Sequence, residues 1–215
     1  MKISSLYTEV ADRVQDAPEE LVKSACRRAL SRFYMGSTCW RERVSCVPLR
    51  AGVAEYEFVD EVDHPVCAIT DMRILGTQAM LEPTMESKMN LVSRTWRIDS
   101  GGQPLRYLCP REPGIAWVWP IPAQGGDFLD VELALYPGPR TAEVPDFYAN
   151  LFFDALVEGA CGVLYRLPRR VWSDVRAAAD ADAALLGATV AAKGRITKSN
   201  TTGITMARLT GFNEL

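Results

Sequence analysis

Apolar residues recur at helical spacing in the first part of the chain. Those that define the pattern lie three or four positions apart: Val22, Cys26, Ala29, Leu30 and Phe33. This spacing predicts an amphipathic helix. Asp16, followed by Glu19 at the third position, has the form of a capping box and predicts the start of the helix. Gly36 predicts its end, and a shorter helix is predicted before it, around Ile3–Val14.

Between Cys39 and Pro137 the spacing changes to that of β-strands, with apolar and polar residues alternating at several places. Five segments are predicted as strands: Ala54–Phe58, Pro65–Leu75, Leu105–Cys109, Ile115–Trp119 and Leu129–Leu135. Turn sequences such as Pro113-Gly114 separate them, which predicts an antiparallel meander. Pro83–Leu91 is predicted as a short helix within this region.

Helical spacing returns after Pro145. In Phe147–Leu167 the polar residues form one narrow stripe and the others are apolar or small, so this helix is expected to be buried on most of its circumference. Ser173 is predicted as the N-cap of a last helix, which Lys193 and Gly194 close. The residues predicted to face inward from this last helix are Val175, Ala179, Ala183, Leu186 and Val190.

Together these elements predict an α+β fold. Residues 1–38 and 141–194 would form a bundle of three or four helices, and residues 39–140 an inserted, strand-rich module with antiparallel strands. Residues 195–215 are predicted as an extended C-terminal arm. The stretch from Lys193 to Arg208 has four basic residues and no acidic one. Two interpretations of the arm stay open: a frayed terminus, or a segment that becomes ordered on a partner.

The composition of the chain disfavours several classes of function. The chain has 215 residues, of which 48% are hydrophobic and 24% charged, and its formal net charge is −3. Free nucleic-acid binders usually have a basic excess, which is missing here. The six cysteines include no CxxC pair and His64 is the one histidine, so the spacing of zinc ligands is absent. No secretory signal or bilayer-length apolar segment is recognised, and we expect the cysteines to be reduced.

The sequence predicts no catalytic residue, no metal site and no cofactor. Phosphate-binding loops and nucleophile elbows are absent. His64 belongs to a charged turn, Asp60–Pro65, and a solvated turn explains it better than acid–base chemistry does. A tail-associated glycoside hydrolase would need paired carboxylates, for which the candidates lie on predicted strands: Glu55, Glu57 and Glu132.

Aromatic and basic residues suggest two further possibilities. Trp117 and Trp119 share one strand face, which suits either a packed sheet or a platform for nucleic-acid bases. Arginines surround that strand region: Arg94, Arg97, Arg106 and Arg111. A second basic group, Arg166, Arg169 and Arg170, lies at the corner between the last two helices. It is explained by a solvated helix end, or by contact with a neighbouring subunit or with DNA phosphates.

A series of short motifs resembles one viral family. In chain order they are Gly52–Phe58, Gly102–Tyr107, Trp119-Pro120-Ile121-Pro122, Leu133–Pro137, Leu156–Ala160, Leu167-Pro168 and Trp172–Asp174. Their order and spacing resemble the head-to-tail adaptor (connector) proteins of tailed bacteriophages, also called tail tubular protein A or gp4-like tail accessory proteins. The resemblance covers about Glu19–Lys193 and depends on order rather than on a single diagnostic signature.

The resemblance implies a non-enzymatic virion protein. Copies would form a ring, typically of twelve, at the neck of the virion, after assembly in the host cytoplasm. The ring would join the portal protein to the tail nozzle or tube and continue the channel through which genomic DNA is ejected. No membrane is involved. Residues expected at portal or subunit contacts are Arg169, Arg170, Arg195, Lys198, Arg208 and Phe212.

Overall fold

The computed structural model describes residues 1–59, 62 and 64–198. Within them, the fold is α+β, as the sequence predicts. The helices are α1 (Ile3–Arg13), α2 (Glu19–Ser37), α3 (Glu86–Val92), α4 (Asp146–Leu151), α5 (Phe153–Tyr165) and α6 (Val175–Thr197). The strands are β1 (Arg41–Pro48), β2 (Glu55–Glu57), β3 (Val66–Ile74), β4 (Ala79–Met80), β5 (Glu82–Pro83), β6 (Arg106–Leu108), β7 (Ile115–Trp119) and β8 (Phe128–Leu135).

The strands form two four-stranded sheets. The first has the order β1-β8-β3-β4 and is antiparallel throughout. Its strand β8 buries Leu129, Val131, Leu133 and Leu135 completely, and α2 contacts this strand. The second sheet has the order β2-β7-β6-β5, and its β5–β6 pair is parallel.

A layer of ion pairs covers the other side of the first sheet. Asp130 of β8 is buried, with an ion pair to Arg43 at 3.3 Å and a hydrogen bond from the Ser45 hydroxyl. Glu132 pairs with Arg41 at 2.7 Å and accepts a hydrogen bond from Thr70. A buried carboxylate such as Asp130 needs such partners, and here both carboxylates have an arginine.

Four helices pack together around the pair α2 and α5. Both α1 and α6 contact this pair, and the helices approach closely because glycines lie at the contacts. A Cβ atom on Gly162 would lie 2.8 Å from the Cβ of Ala181 on α6, and one on Gly36 would lie 2.7 Å from Thr189. The main hydrophobic core is continuous from these helices to both sheets.

Several helix boundaries differ from the prediction. Asp16 has a left-handed backbone with φ of 66° and does not cap α2, whose N-cap position is Pro18. The helix passes through Gly36 and ends at Ser37, followed by Thr38 in the left-handed conformation. The predicted helix Phe147–Leu167 is divided at Phe152, where the backbone leaves helical geometry between α4 and α5.

The prediction for α6 is wrong at both ends and in its orientation. Asp174 is the N-cap, and its carboxylate accepts hydrogen bonds from the backbone of Arg176 and Ala177 at 2.9 and 3.0 Å. Ser173 instead bridges Leu167 and the backbone of Arg170. The helix continues to Thr197, where the beginning of an extended arm is predicted. Its buried residues are Ala178, Ala181, Leu185, Ala188, Thr189 and Ala192, and none of these is in the predicted inward set.

Candidate interaction surface

The residues predicted to face inward from α6 lie on its exposed side. Val175 is 85% exposed, Leu186 64% and Val190 63%, and the remaining members, Ala179 and Ala183, are exposed as well. We call this surface the outer face of α6; with Gly187, its residues are Val175, Ala179, Ala183, Leu186, Gly187 and Val190. They recur every three or four positions, so they form one continuous stripe opposite the buried stripe.

Between Asp182 and Lys193 the helix has no charged residue. This middle part of α6 is therefore apolar on both sides, one against the α2–α5 pair and the other facing solvent. A soluble helix that packs on one side normally has a polar opposite side. Contiguous exposed apolar surface of this kind marks a contact with another molecule more often than ordinary surface does.

Gly187 on the outer face has no packing role among the residues that the structure describes. A Cβ atom at this position would meet no atom within 4 Å, in contrast to Gly159 and Gly162 on α5, whose added Cβ atoms would strike α6. Glycine within a helix costs about 0.5–1 kcal/mol relative to alanine. Its presence on the open side suits a surface that another backbone approaches closely.

Basic residues border the outer face. Arg176, Lys193 and Arg195 are exposed, and none of them has an ion pair with any described residue. Asp180 lies beside them on the same helix. The three cations outnumber the carboxylate of Asp180, so the border of the outer face is net positive.

The interface residues predicted from the sequence do not form one patch. Arg169 and Arg170 are exposed in the loop before α6, where Arg170 lies 5.9 Å from the centroid of the Trp172 ring. Arg195 is in the last turn of α6, and Lys198 follows it as the C-cap. The helix between them has 23 residues, which places the two groups about 30 Å apart at 1.5 Å per residue. Arg208 and Phe212 lie outside the described residues.

Arg166 has a structural role; with Arg169 and Arg170 it forms the basic corner between α5 and α6. Its guanidinium pairs with Asp182 of α6, which also accepts a hydrogen bond from Arg32 of α2 at 3.4 Å. Asp182 thus links the end of α5 and the side of α2 to α6. Arg169 and Arg170 have no ion pair in the part of the chain that the structure describes, so they remain available for a partner.

A groove with a volume of about 900 Å³ lies between α2 and the segment Tyr136–Pro139. One wall is basic, with Lys23, Arg27, Arg28 and Arg32, and the other is formed by Tyr136 and prolines. Lys23 pairs with Glu19 at 2.7 Å, whereas Arg27 and Arg28 have no ion pair with the described residues. The groove is wide and open and does not enclose a small molecule.

The tryptophans of β7 are used in packing. Trp117 and Trp119 cover a small second core made of Met89, Trp96 and Leu108, and Trp117 meets Trp96 edge to face with ring centroids 5.7 Å apart. Two neighbouring arginines are occupied: Arg97 pairs with Glu86, and Arg106 with Glu82 at 2.9 Å. Arg94 and Arg111 are exposed.

Three of the four groups considered for catalysis have structural partners. Glu55 accepts a hydrogen bond from the Trp117 indole, and Glu132 belongs to the ion-pair layer of the first sheet. His64 lies 3.3 Å from the Thr141 hydroxyl and packs against Trp40; its neighbours Asp60, Glu61 and Asp63 lie outside the described residues. In residues 1–59, 62 and 64–198, no three histidine, cysteine or carboxylate side chains come together where they could hold a metal.

All six cysteines are free thiols. Cys26, Cys39 and Cys161 are buried, and burial raises the pKa of Cys26 to about 12 and of Cys161 to about 11. Among the described helices, none combines the length and the apolar composition required to cross a bilayer.

No protein-family model matches the chain, and no curated protein matches it significantly. The outer face of α6 is therefore the feature on which a functional interpretation depends.

Proposed function

We propose that this protein is a structural head-to-tail adaptor of a bacteriophage virion, acting as one copy in a ring that joins the portal to the tail. Two lines of reasoning support the proposal. The sequence resembles the adaptor family over about Glu19–Lys193, and the outer face of α6 leaves an apolar stripe without a partner. The second observation carries the proposal, because it concerns a surface that no described residue of the chain covers.

A ring subunit requires contacts on two different surfaces. When one surface of a copy binds another surface of the next copy, the contact repeats and closes into a ring if the rotation permits. An exposed apolar stripe on one flank of the helices is the kind of surface that such a contact would bury. In the adaptor interpretation, the outer face of α6 is buried in the virion.

The partners follow from the resemblance. The ring would contact the portal protein on one side and the tail nozzle or tube on the other, at the neck of the virion, and genomic DNA would pass through it. Arg169, Arg170, Arg195 and Lys198 are the described candidates for portal or subunit contacts. The net charge of −3 suits a conduit, because a strongly basic channel would hold the DNA backbone.

An enzymatic role has less support. The candidate carboxylates Glu55 and Glu132 hold neighbouring side chains in place, and they lie in different sheets. A nucleic-acid-binding role is also less supported, because Trp117 and Trp119 are used in packing. In the proposal the protein acts by contact alone, with no cofactor.

The test is the mass of the purified protein, alone and mixed with the portal protein of the same phage, by light scattering with negative-stain imaging. A ring, formed alone or on mixing, supports the adaptor role and gives the number of subunits. A protein that remains monomeric and ignores the portal overturns the proposal. Steeply salt-dependent binding to single-stranded DNA would then favour the nucleic-acid interpretation.

A further inference from the structure

We propose that the outer face of α6 in one copy packs into the groove between α1 and α2 of the next copy. The proposal rests on the adaptor function for its biological setting, and it adds the two surfaces that meet.

The two surfaces lie on opposite sides of the molecule. Both α1 and α6 pack against the α2–α5 pair, and among the described residues they share no comparable contact with each other. Four helices with these contacts place α1 and α6 on opposite flanks of the pair. Each copy can therefore contact one neighbour through α6 and another neighbour through α1. Because one of these surfaces is still open at each end of the assembly, the same contact can add further copies.

The receiving groove has an apolar floor and an acidic border. It is about 360 Å³ in volume and is lined by Tyr7, Thr8, Ala11, Asp12, Ala17, Glu19 and Val22. Ala11 and Ala17 are small, so a helix can come close to the groove. Leu186 and Val190, which protrude from the outer face of α6, are side chains of a size that such a groove accommodates.

Small residues on α6 permit the same close approach from the other side. Ala183 and Gly187 lie beside Leu186 on the outer face, and the Cβ position of Gly187 is open. When two helices interdigitate, large protruding side chains usually lie beside small residues. The shape of each surface thus complements the other, and each is incomplete in the single chain.

The charges of the two borders are opposite. Asp12 lines the groove, and Asp16 is exposed beside the lining residue Ala17; neither has an ion pair with any described residue. On α6, Arg176, Lys193 and Arg195 are exposed and equally unpaired. Complementary charge at the border of an interface speeds association and excludes wrong orientations. A symmetric contact between two copies of α6 would instead bring two net-positive borders together.

Cross-linking of full-length protein tests the contact. In a background with the exposed Cys46 and Cys109 replaced by serine, one variant carries Ala11→Cys and a second carries Leu186→Cys. A short bismaleimide is added to each variant alone, to their mixture, and to a protein with both changes, with and without the portal protein. We expect no cross-link in either variant alone, a dimer in the mixture, and a ladder of higher species in the double variant.

The matched control replaces Leu186→Cys with Leu91→Cys, a still more exposed position on α3, which should not cross-link to Ala11→Cys. Cross-linking of Leu186→Cys with itself indicates a symmetric α6 contact and overturns the proposal. Rings seen by imaging without the mixed cross-link also overturn it, while the adaptor function stands. Absence of self-association under every condition overturns both.

Discussion

Leu185 and Leu186 are neighbours in the sequence but lie on opposite sides of α6. Leu185 is 5% exposed and packs where Gly159 of α5 leaves space, whereas Leu186 is 64% exposed and belongs to the outer face. The pair separates two roles that α6 performs with similar residues. One side holds the helix to its own chain, and the other is free to contact a second molecule.

Leu185→Ala and Leu186→Ala are therefore expected to have different effects. The first creates a cavity at the α5–α6 contact and should cost about 2–4 kcal/mol of unfolding free energy. The second removes exposed surface and should change the free energy by less than about 0.5 kcal/mol. Urea unfolding followed by circular dichroism measures both. Equal losses in the two variants would mean that the monomer already covers Leu186.

Ring assembly, in contrast to the stability of the monomer, should depend on Leu186. Leu186→Glu places a charge in the middle of the outer face and should abolish ring formation while the urea midpoint is retained. The reason is that an unpaired charge buried in an apolar interface loses its hydration without compensation. Negative-stain imaging with the portal protein gives the result. Leu91→Glu, an exposed position away from α6, serves as the control and should assemble normally.

The glycines of the helices allow a second comparison. In Gly162→Ala the new methyl group would lie 2.8 Å from the Cβ of Ala181, and since neither side chain can rotate away, the helices must separate. We expect a loss of about 1–3 kcal/mol. Gly187→Ala meets open space and should raise the stability of the monomer by about 0.5–1 kcal/mol. Thermal unfolding of both variants tests the prediction, and it fails if Gly187→Ala lowers the midpoint.

Periodicity predicted the elements because apolar residues alternate in one way in strands and in another in helices. It failed to orient α6, because both of its sides are apolar and spacing alone cannot choose between them. The choice depends on particular contacts with α5: Ala178 and Ala181 pack at Gly162, and Leu185 packs at Gly159. That complementarity is between elements distant in sequence. Ser173 and Asp174 are adjacent residues of equal capping ability, so only the backbone decides between them.

The N-cap of α6 is testable by two substitutions at one position. Asp174→Ala removes the acceptor for the backbone N–H groups of Arg176 and Ala177 and should cost about 1 kcal/mol. Asp174→Asn keeps an oxygen acceptor and should lose little of that stability, because asparagine caps helices as well as aspartate does. Denaturant unfolding distinguishes the two. A loss of equal size in both variants would indicate that the charge, and not the hydrogen bond, stabilises the helix.

Thiol reactivity reports burial across the fold. Burial raises the pKa of Cys26 to about 12 and of Cys161 to about 11, so these groups stay protonated at pH 8 and the thiolate needed for reaction is scarce. Titration of the native protein with a thiol-specific dye should label the exposed Cys46 first. Cys26 and Cys161 should react only when urea unfolds the chain. Rapid native labelling of Cys161 would contradict the described packing of α5.

Removal of residues 199–215 separates folding from portal docking. The described helix α6 is complete at its C-cap, where the Lys198 N–H donates to the Gly194 carbonyl at 3.3 Å, so the truncation removes no described contact. We expect an unchanged unfolding midpoint and retained self-association, together with loss of binding to the portal protein, because the predicted arm contacts that partner. Co-sedimentation with portal rings measures the binding, and Arg169→Glu/Arg170→Glu in the full chain tests the basic corner independently. If the truncated protein docks normally and the double arginine variant does not, the portal contact lies at the beginning of α6.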